Sequence, residues 1–206
     1  MSDTKLPDGW RVAKLSEIGD ISSGGTPDTN NMQYWNGNIP WITPTEITKL
    51  KTRFIYQTER NITKDGLTNS SAKLLPINSI LVCTRATIGE IGINKVPIST
   101  NQGFKNIIVN KSNNPDFIYF LLKQNKHKII EKASGSTFLE ISKYEFENLS
   151  FILPPFHIQQ RIAAILSKAD EEVRVYKEIT KKLEERNKGL SQKLLSGEIN
   201  LTSFNL

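Results

Sequence analysis

From about His157 to about Leu195, glycine and proline almost vanish and apolar residues recur in steps of three and four. The stripe runs through Ile158, Ile162, Ile165, Ala169, Val173, Tyr176, Thr180, Leu183, Asn187, Leu190 and Leu194. Such steps keep side chains on one face of an α-helix, because 3.6 residues complete a turn. A helix of this extent measures about 55–60 Å at roughly 1.5 Å per residue. Two consecutive fours between Ile165 and Val173 mark one stutter in a coiled-coil pattern. Thr180 and Asn187 fall on the seam, where a polar residue can fix register and partner number at some cost in stability. Gly197 follows the last apolar position and serves as a helix stop. A stripe of this kind needs a cover. Folding back on its own domain is one alternative, but a domain of about 150 residues has a radius of gyration near 15 Å, so most of the helix would overhang. The pattern therefore predicts a partner from another molecule.

The first part of the chain reads differently. Residues 1–154 are rich in Thr, Asn, Ile, Gly and Pro, and short apolar runs alternate with turn signals. Strands are expected at Ile39–Thr43, Ser79–Thr84, Ile88–Ile93 and Phe104–Val109. Pro40 points to an edge or a strand start, and the continuous run Ile80-Leu81-Val82-Cys83 to burial on both faces. Pro115 to Leu122 reads as a helix, with Asn114 as its cap and Pro115 in its first turn. Tyr144 to Leu153 leads back to the boundary, and Pro154-Pro155 ends the last strand. The expectation is an α+β fold: a globular mixed α/β domain over residues 1–154, then one long C-terminal coiled-coil helix and tail over residues 155–206.

Several function classes are excluded early. Ser22-Ser23-Gly24-Gly25-Thr26-Pro27 is glycine-rich but lacks the Gly-Lys-Ser/Thr end of a phosphate-binding loop. Gly89 and Gly92 make no dinucleotide fingerprint. Two histidines and one cysteine cannot assemble a convincing zinc site, so neither a metal nor a cofactor is expected. Cys83 sits in an apolar run and reads as a buried, inert thiol in a reducing compartment. Leu153-Pro154-Pro155-Phe156 resembles the Asp/Asn-Pro-Pro-aromatic motif of amino-methyltransferases, but Leu153 offers no acceptor side chain. A strand-to-helix corner is the better reading, and no catalytic residue is expected. The polar start and the lack of any apolar run near 20 residues predict a cytoplasmic chain with no membrane partner.

What remains is suited to reading nucleic acid. The net charge of +6 fits an anionic partner without demanding one. Thr84-Arg85-Ala86-Thr87 follows the clearest strand, and Arg can be bidentate to guanine. A surface salt bridge is the competing role for Arg85. Thr100-Asn101-Gln102-Gly103 offers amides that can read adenine, or forms a plain turn. Trp35 and Trp41 flank an amide-rich stretch, with Trp41 expected in the core. Thr43-Pro44-Thr45-Glu46 looks like a strand exit and helix cap, and Ser134-Gly135-Ser136-Thr137 like a polar loop able to meet phosphate.

These segments together resemble one family. Leu6-Pro7-Asp8-Gly9-Trp10, Ser23 to Pro27, Trp35 to Thr43, Val82 to Gly89, Leu153 to Ile162 and Gln192 to Gly197 occur in the order found in Type I restriction–modification specificity subunits. The resemblance implies a non-catalytic subunit that reads double-stranded DNA through the major groove. Its usual member carries two target-recognition domains and two long helices that pair antiparallel. The helices gauge the gap in a split site and hold adenine-N6 methyltransferase subunits, and a motor–nuclease subunit completes the complex. Here one recognition domain and one helix are present, as in half-length members. Two copies are therefore expected to pair through Ile158, Ile162, Ile165, Val173, Tyr176, Leu183, Asn187, Leu190 and Leu194, and to read a palindromic, interrupted site. Lys49, Lys51, Arg53 and Lys105 are expected on phosphates. Loops around Thr26, Thr43, Thr84, Arg85, Thr87 and Gln102 are expected on bases. A coiled-coil adaptor without a DNA role, or a fragment of a two-domain subunit, are the alternatives.

Overall fold

The computed structural model describes residues 6–135 and 139–199. One compact unit ends at Ala164 and a second begins at Ile165. The first unit opens with β1 (Arg11–Lys14), α1 (Leu15–Ile18), β2 (Gly19–Ser23), β3 (Trp35–Ile42) and α2 (Pro44–Thr48). Next come β4 (Phe54–Ile55), β5 (Arg60–Ile62), α3 (Lys64–Thr68), β6 (Ile80–Cys83), β7 (Ile91–Asn94), β8 (Ser99–Thr100) and β9 (Phe104–Val109). It closes with α4 (Pro115–Gln124), α5 (Lys126–Glu131), α6 (Lys143–Glu147) and β10 (Ser150–Leu153), and then α7 (Phe156–Leu195) begins. The α+β fold with a long C-terminal helix is as expected.

Three sheets organise the domain. The largest has the order β2-β9-β6-β7-β4, with β4 parallel to β7 and the other pairs antiparallel. Its centre is β6, whose side chains alternate between two cores. Ile80 and Val82 enter the cluster shared with Phe117, Ile118, Leu122 and Phe146, while Leu81 and Cys83 join Ile42, Ile55 and Phe104. The two-sided burial inferred from the continuous apolar run follows from this alternation. In α4, the Asn114 side chain accepts from Phe117 N–H at 2.9 Å, and Pro115 opens the helix, as expected. The two-stranded sheet pairs β1 with β10, so Arg11 lies opposite Leu153 just before α7 starts.

Two expectations need correction. Pro40 lies in β3, the middle strand of the order β5-β3-β8, not at an edge. The parallel ladder with β8 begins only at Trp41, so the missing N–H of Pro40 breaks nothing on that side. The strand expected from Ile88 starts at Ile91, because residues 84–90 form a turn with Ala86 at φ +61° and Gly89 at φ +80°.

Along α7 the environment of the stripe changes. Ile158 and Ile162 are half-buried and Ala163 is buried. Beyond them Ile165 is 67% exposed, Val173 51%, Tyr176 69% and Leu183 57%. The polar faces carry ion pairs one turn apart, Arg174 with Glu171 and Glu178, and Lys181 with Glu185. Gly197 adopts φ +76°, the left-handed conformation of a helix stop.

Candidate nucleic-acid interface

The loop of residues 101–103, between β8 and β9, is where distant segments meet. Asn101 N–H donates to the Ile42 carbonyl at 3.1 Å, and Gly25 N–H to the Thr100 carbonyl at 2.9 Å. The Gly103 carbonyl accepts from Thr84 N–H at 2.8 Å and from the Thr84 hydroxyl at 3.2 Å. Thr26 Oγ1 donates to Gln102 Oε1. Gly24 packs so tightly that an added Cβ would lie 1.9 Å from the Asn101 carbonyl oxygen. The three segments around Thr26, Thr43 and Arg85 thus converge on the loop that carries Gln102.

Two indoles pin the approach to it. Trp41 Nε1 donates to the Gly25 carbonyl at 2.9 Å, and Trp35 Nε1 to the Asp28 carbonyl at 3.1 Å. The two rings meet edge to face at 5.1 Å. Arg60 lies over Trp35 with 3.7 Å from its guanidinium carbon to the ring centroid, leaving an exposed cation beside the 24–31 loop. Trp41 is buried, as expected.

The expected DNA-contacting residues divide into groups. Gln102 is exposed, and Thr26, Thr43 and Arg85 are partly exposed. The Thr43 hydroxyl and N–H both donate to the Glu46 carboxylate, at 3.0 and 2.9 Å, which caps α2. Thr84 is buried, and Thr87 is half-buried in the turn before β7. Lys105 is buried too, and its ammonium bonds Glu140 Oε1 at 3.1 Å. Arg85 bonds the other oxygen of the same carboxylate, through Nε at 3.0 Å and through Nη2. Burial pushes the Glu140 carboxyl up, but the bonds from Arg85 and Lys105 outweigh it and hold it below the usual carboxylate range.

Lys49, Lys51 and Arg53 are not part of this convergence. Lys49 is exposed and pairs with Glu59 at 2.9 Å, and Lys51 is exposed after α2. Arg53 is largely buried, pairs with Asp116 at 3.0 Å and lies over Phe54 and Phe120. Arg53 and Lys105 therefore sit inside the fold rather than on a surface open to phosphate. Ser136 and Thr137 of the polar loop lie outside the described residues. Arg60 and Glu140 were not singled out from sequence. Their partners Trp35 and Arg85 lie far away along the chain, and no spacing rule links them.

Cys83 is fully buried, and burial pushes its thiol from an ordinary value near 9 up to about 12. A thiol reagent at pH 8 is expected to leave the native chain unmodified while labelling the urea-unfolded chain fully. The sign of the pH effect follows. Above pH 9 the unfolded thiol ionises while the folded one keeps its proton, so stability falls as pH rises from about 9 toward 12. Fast labelling of the native chain at pH 8 would show that Cys83 is accessible.

Among the described residues no cluster of His, Cys, Asp and Glu could hold a metal ion, and no helix is long and apolar enough to cross a membrane. The molecule is thus an α+β domain that gathers polar and cationic loop residues at one place, joined to a long helix with an apolar stripe. The family model of the Type I restriction modification DNA specificity domain matches residues 7–185, and the chain belongs to that family. It is 36% identical over 169 residues to the MjaIX specificity subunit of Methanocaldococcus jannaschii, covering 81% of this chain and 39% of the relative. It is 32% identical over 168 residues to the EcoR124I/EcoR124II specificity subunit of Escherichia coli, covering 78% and 40%. The HsdS subunit from Thermoanaerobacter tengcongensis shares the fold, with a TM-score of 0.69 at 21% identity over 95% of this chain and 46% of that one. A chain from a structure of a type I R-M system superposes with a TM-score of 0.75 at 23% identity, over 94% and 46%. The chain spans about two-fifths of the length of these curated relatives.

Proposed function

We propose that this chain is a non-catalytic DNA-reading subunit of a Type I restriction–modification complex. Residues 1–154 read one half of a split target, and residues 155–206 pair with the same segment of a second copy. The convergence of the loops at Thr26, Thr43 and Arg85 on residues 101–103, which include Gln102, carries this reading. A rigid scaffold that presents polar loop residues at one place is what base readout needs. Exposed cations such as Lys49, Lys51 and Arg60 supply the phosphate contacts that set register.

The exposed stripe of α7 supports the pairing. Two stripes laid together bury what one leaves in water. The dimer presents adenine-N6 methyltransferase subunits to the DNA, and a motor–nuclease subunit joins in the restriction complex. The assembly works in the cytoplasm, where the DNA is. Because a two-fold dimer maps its symmetry onto DNA, the target is an interrupted palindrome.

The test is to map methylated adenines in cells carrying this chain with its methyltransferase subunit. The expected outcome is methylation within an interrupted palindrome that disappears when the chain is omitted. A split target with two unlike halves would sink the homodimer, and methylation independent of the chain would sink the DNA-reading role.

A further inference from the structure

Resting on the DNA-reading role above, we infer that Lys105, Glu140 and Arg85 form a buttressed guanine reader, with Glu140 as the positioning residue that aims Arg85. The three side chains are stacked from inside to outside: Lys105 is 8% exposed, Glu140 27% and Arg85 43%. Lys105 fixes Glu140 Oε1 from below, at 3.1 Å. Glu140 Oε2 takes Arg85 from the side, through Nε and Nη2 together. The backbone locks the same pair. Arg85 and Glu140 form an antiparallel bridge, and Ile141 N–H donates to the Thr84 carbonyl at 3.3 Å.

This geometry decides what Arg85 can do. A guanidinium has two edges able to donate two parallel bonds, and the side edge of Arg85 is occupied by Glu140. The end edge, Nη1 with the second hydrogen of Nη2, has no partner among the described residues. Two parallel donors on that edge match guanine O6 and N7 in the major groove. The carboxylate also biases the choice of ligand. Glu140 cancels one of the two positive charges of Lys105 and Arg85, so the triad's pull on a phosphate falls from that of +2 to that of +1, whereas the guanine acceptors carry no net charge and lose little by it. An arginine held in one rotamer loses less freedom on binding than a loose one. The buttress therefore favours a base over the backbone.

The test compares wild type, E140Q and R85K, each as full chain with its methyltransferase subunit. The probe is a randomised duplex DNA library, sequenced after selection, together with binding to an unrelated duplex. Wild type is expected to select a motif with a G·C pair that R85K relaxes severalfold, because lysine carries its donors on one nitrogen and lacks the fixed planar fork that matches guanine O6 and N7 together. E140Q is expected to relax the same pair and to leave the other positions intact. It is also expected to bind the unrelated duplex more tightly, since one negative charge is gone. A merely structural role for Glu140 would weaken every position and lower all DNA affinity, and that result overturns the inference. So does an E140Q variant with undiminished preference, or an R85K effect at an A·T pair. R85K keeps the Lys105–Glu140 pair, so should E140Q not fold it still tests the guanine reading, and an unchanged preference in R85K overturns the inference. If wild type selects no motif, the DNA-reading role itself falls and takes the triad with it. If wild type selects a motif that both variants leave unchanged, the reading role stands and the triad falls.

Discussion

Replacing Val173 and Leu183 together with glutamate is expected to reduce the mass of the purified chain in solution from near twice 23.3 kDa to near 23.3 kDa. Both side chains are more than half exposed in the single chain, so the substitutions remove little from its own folding. Glutamate is also a better helix former than valine, and α7 continues through both positions. The loss falls on the proposed pair. Burying a Val or Leu side chain contributes roughly 1.5–3 kcal/mol, and each variant position occurs twice in a symmetric dimer. Four such losses amount to about 6 kcal/mol, or on the order of a ten-thousand-fold weaker association. Burying four carboxylates on the seam adds to this. Light scattering across a wide concentration range measures the outcome. A double variant that keeps the doubled mass would mean that copies do not pair through this stripe. In the proposed function, loss of pairing also breaks the symmetry of the target. Each half-site would then be read alone, and interrupted palindromic methylation would cease.

Much of this architecture is legible in one dimension, and the reasons are physical. The α7 stripe repeats for eleven positions, so its period outweighs local noise. β6 announces itself by an unbroken apolar run, and α4 by Asn114 and Pro115 at its start. β1 and β5 are illegible because four and three residues are too short to show a period. Arg11 to Lys14 becomes a strand through pairing with Leu153 to Ser150, a partner near the other end of the domain. The site divides along the same line. Arg85 follows from its place at a strand exit. Glu140 does not, because its two cationic partners come from β9 and from the turn after β6. Lys105 is expected on phosphate because a lysine is usually exposed, but it is buried beneath the Glu140 carboxylate that it bonds. Arg53 went the same way, drawn inward by Asp116 and by the rings of Phe54 and Phe120.

Gln159→Leu is expected to lower the melting temperature of the chain by about 10 °C without changing its mass in solution. Gln159 is 2% exposed in the first turn of α7. Its amide nitrogen donates to Asn113 Oδ1 at 3.1 Å and to the Pro154 carbonyl at 3.0 Å. Its oxygen accepts from Asn114 N–H at 2.9 Å, next to the side chain that caps α4. One buried amide thus ties the start of α7 to the start of α4. Leucine has a similar volume, so packing changes little, but three buried polar groups lose a partner. Asn113 keeps the bond from its Nδ2 to Asn110, but its Oδ1 loses the donor that Gln159 supplies. At roughly 1–3 kcal/mol for each unsatisfied group, the cost is about 4 kcal/mol. A domain of this size loses roughly 2–4 °C per kcal/mol, which gives the figure above. Gln160→Leu is the control. Gln160 is exposed, and surface changes usually stay within about 0.5 kcal/mol. Thermal unfolding followed by circular dichroism separates the two variants. A Gln159→Leu melt within about 2 °C of wild type would mean that the freed groups find water or one another, and that α7 is held at its start by apolar packing alone. Together with the glutamate pair the result has a further use, because one variant removes pairing and keeps the fold while the other weakens the fold and keeps pairing.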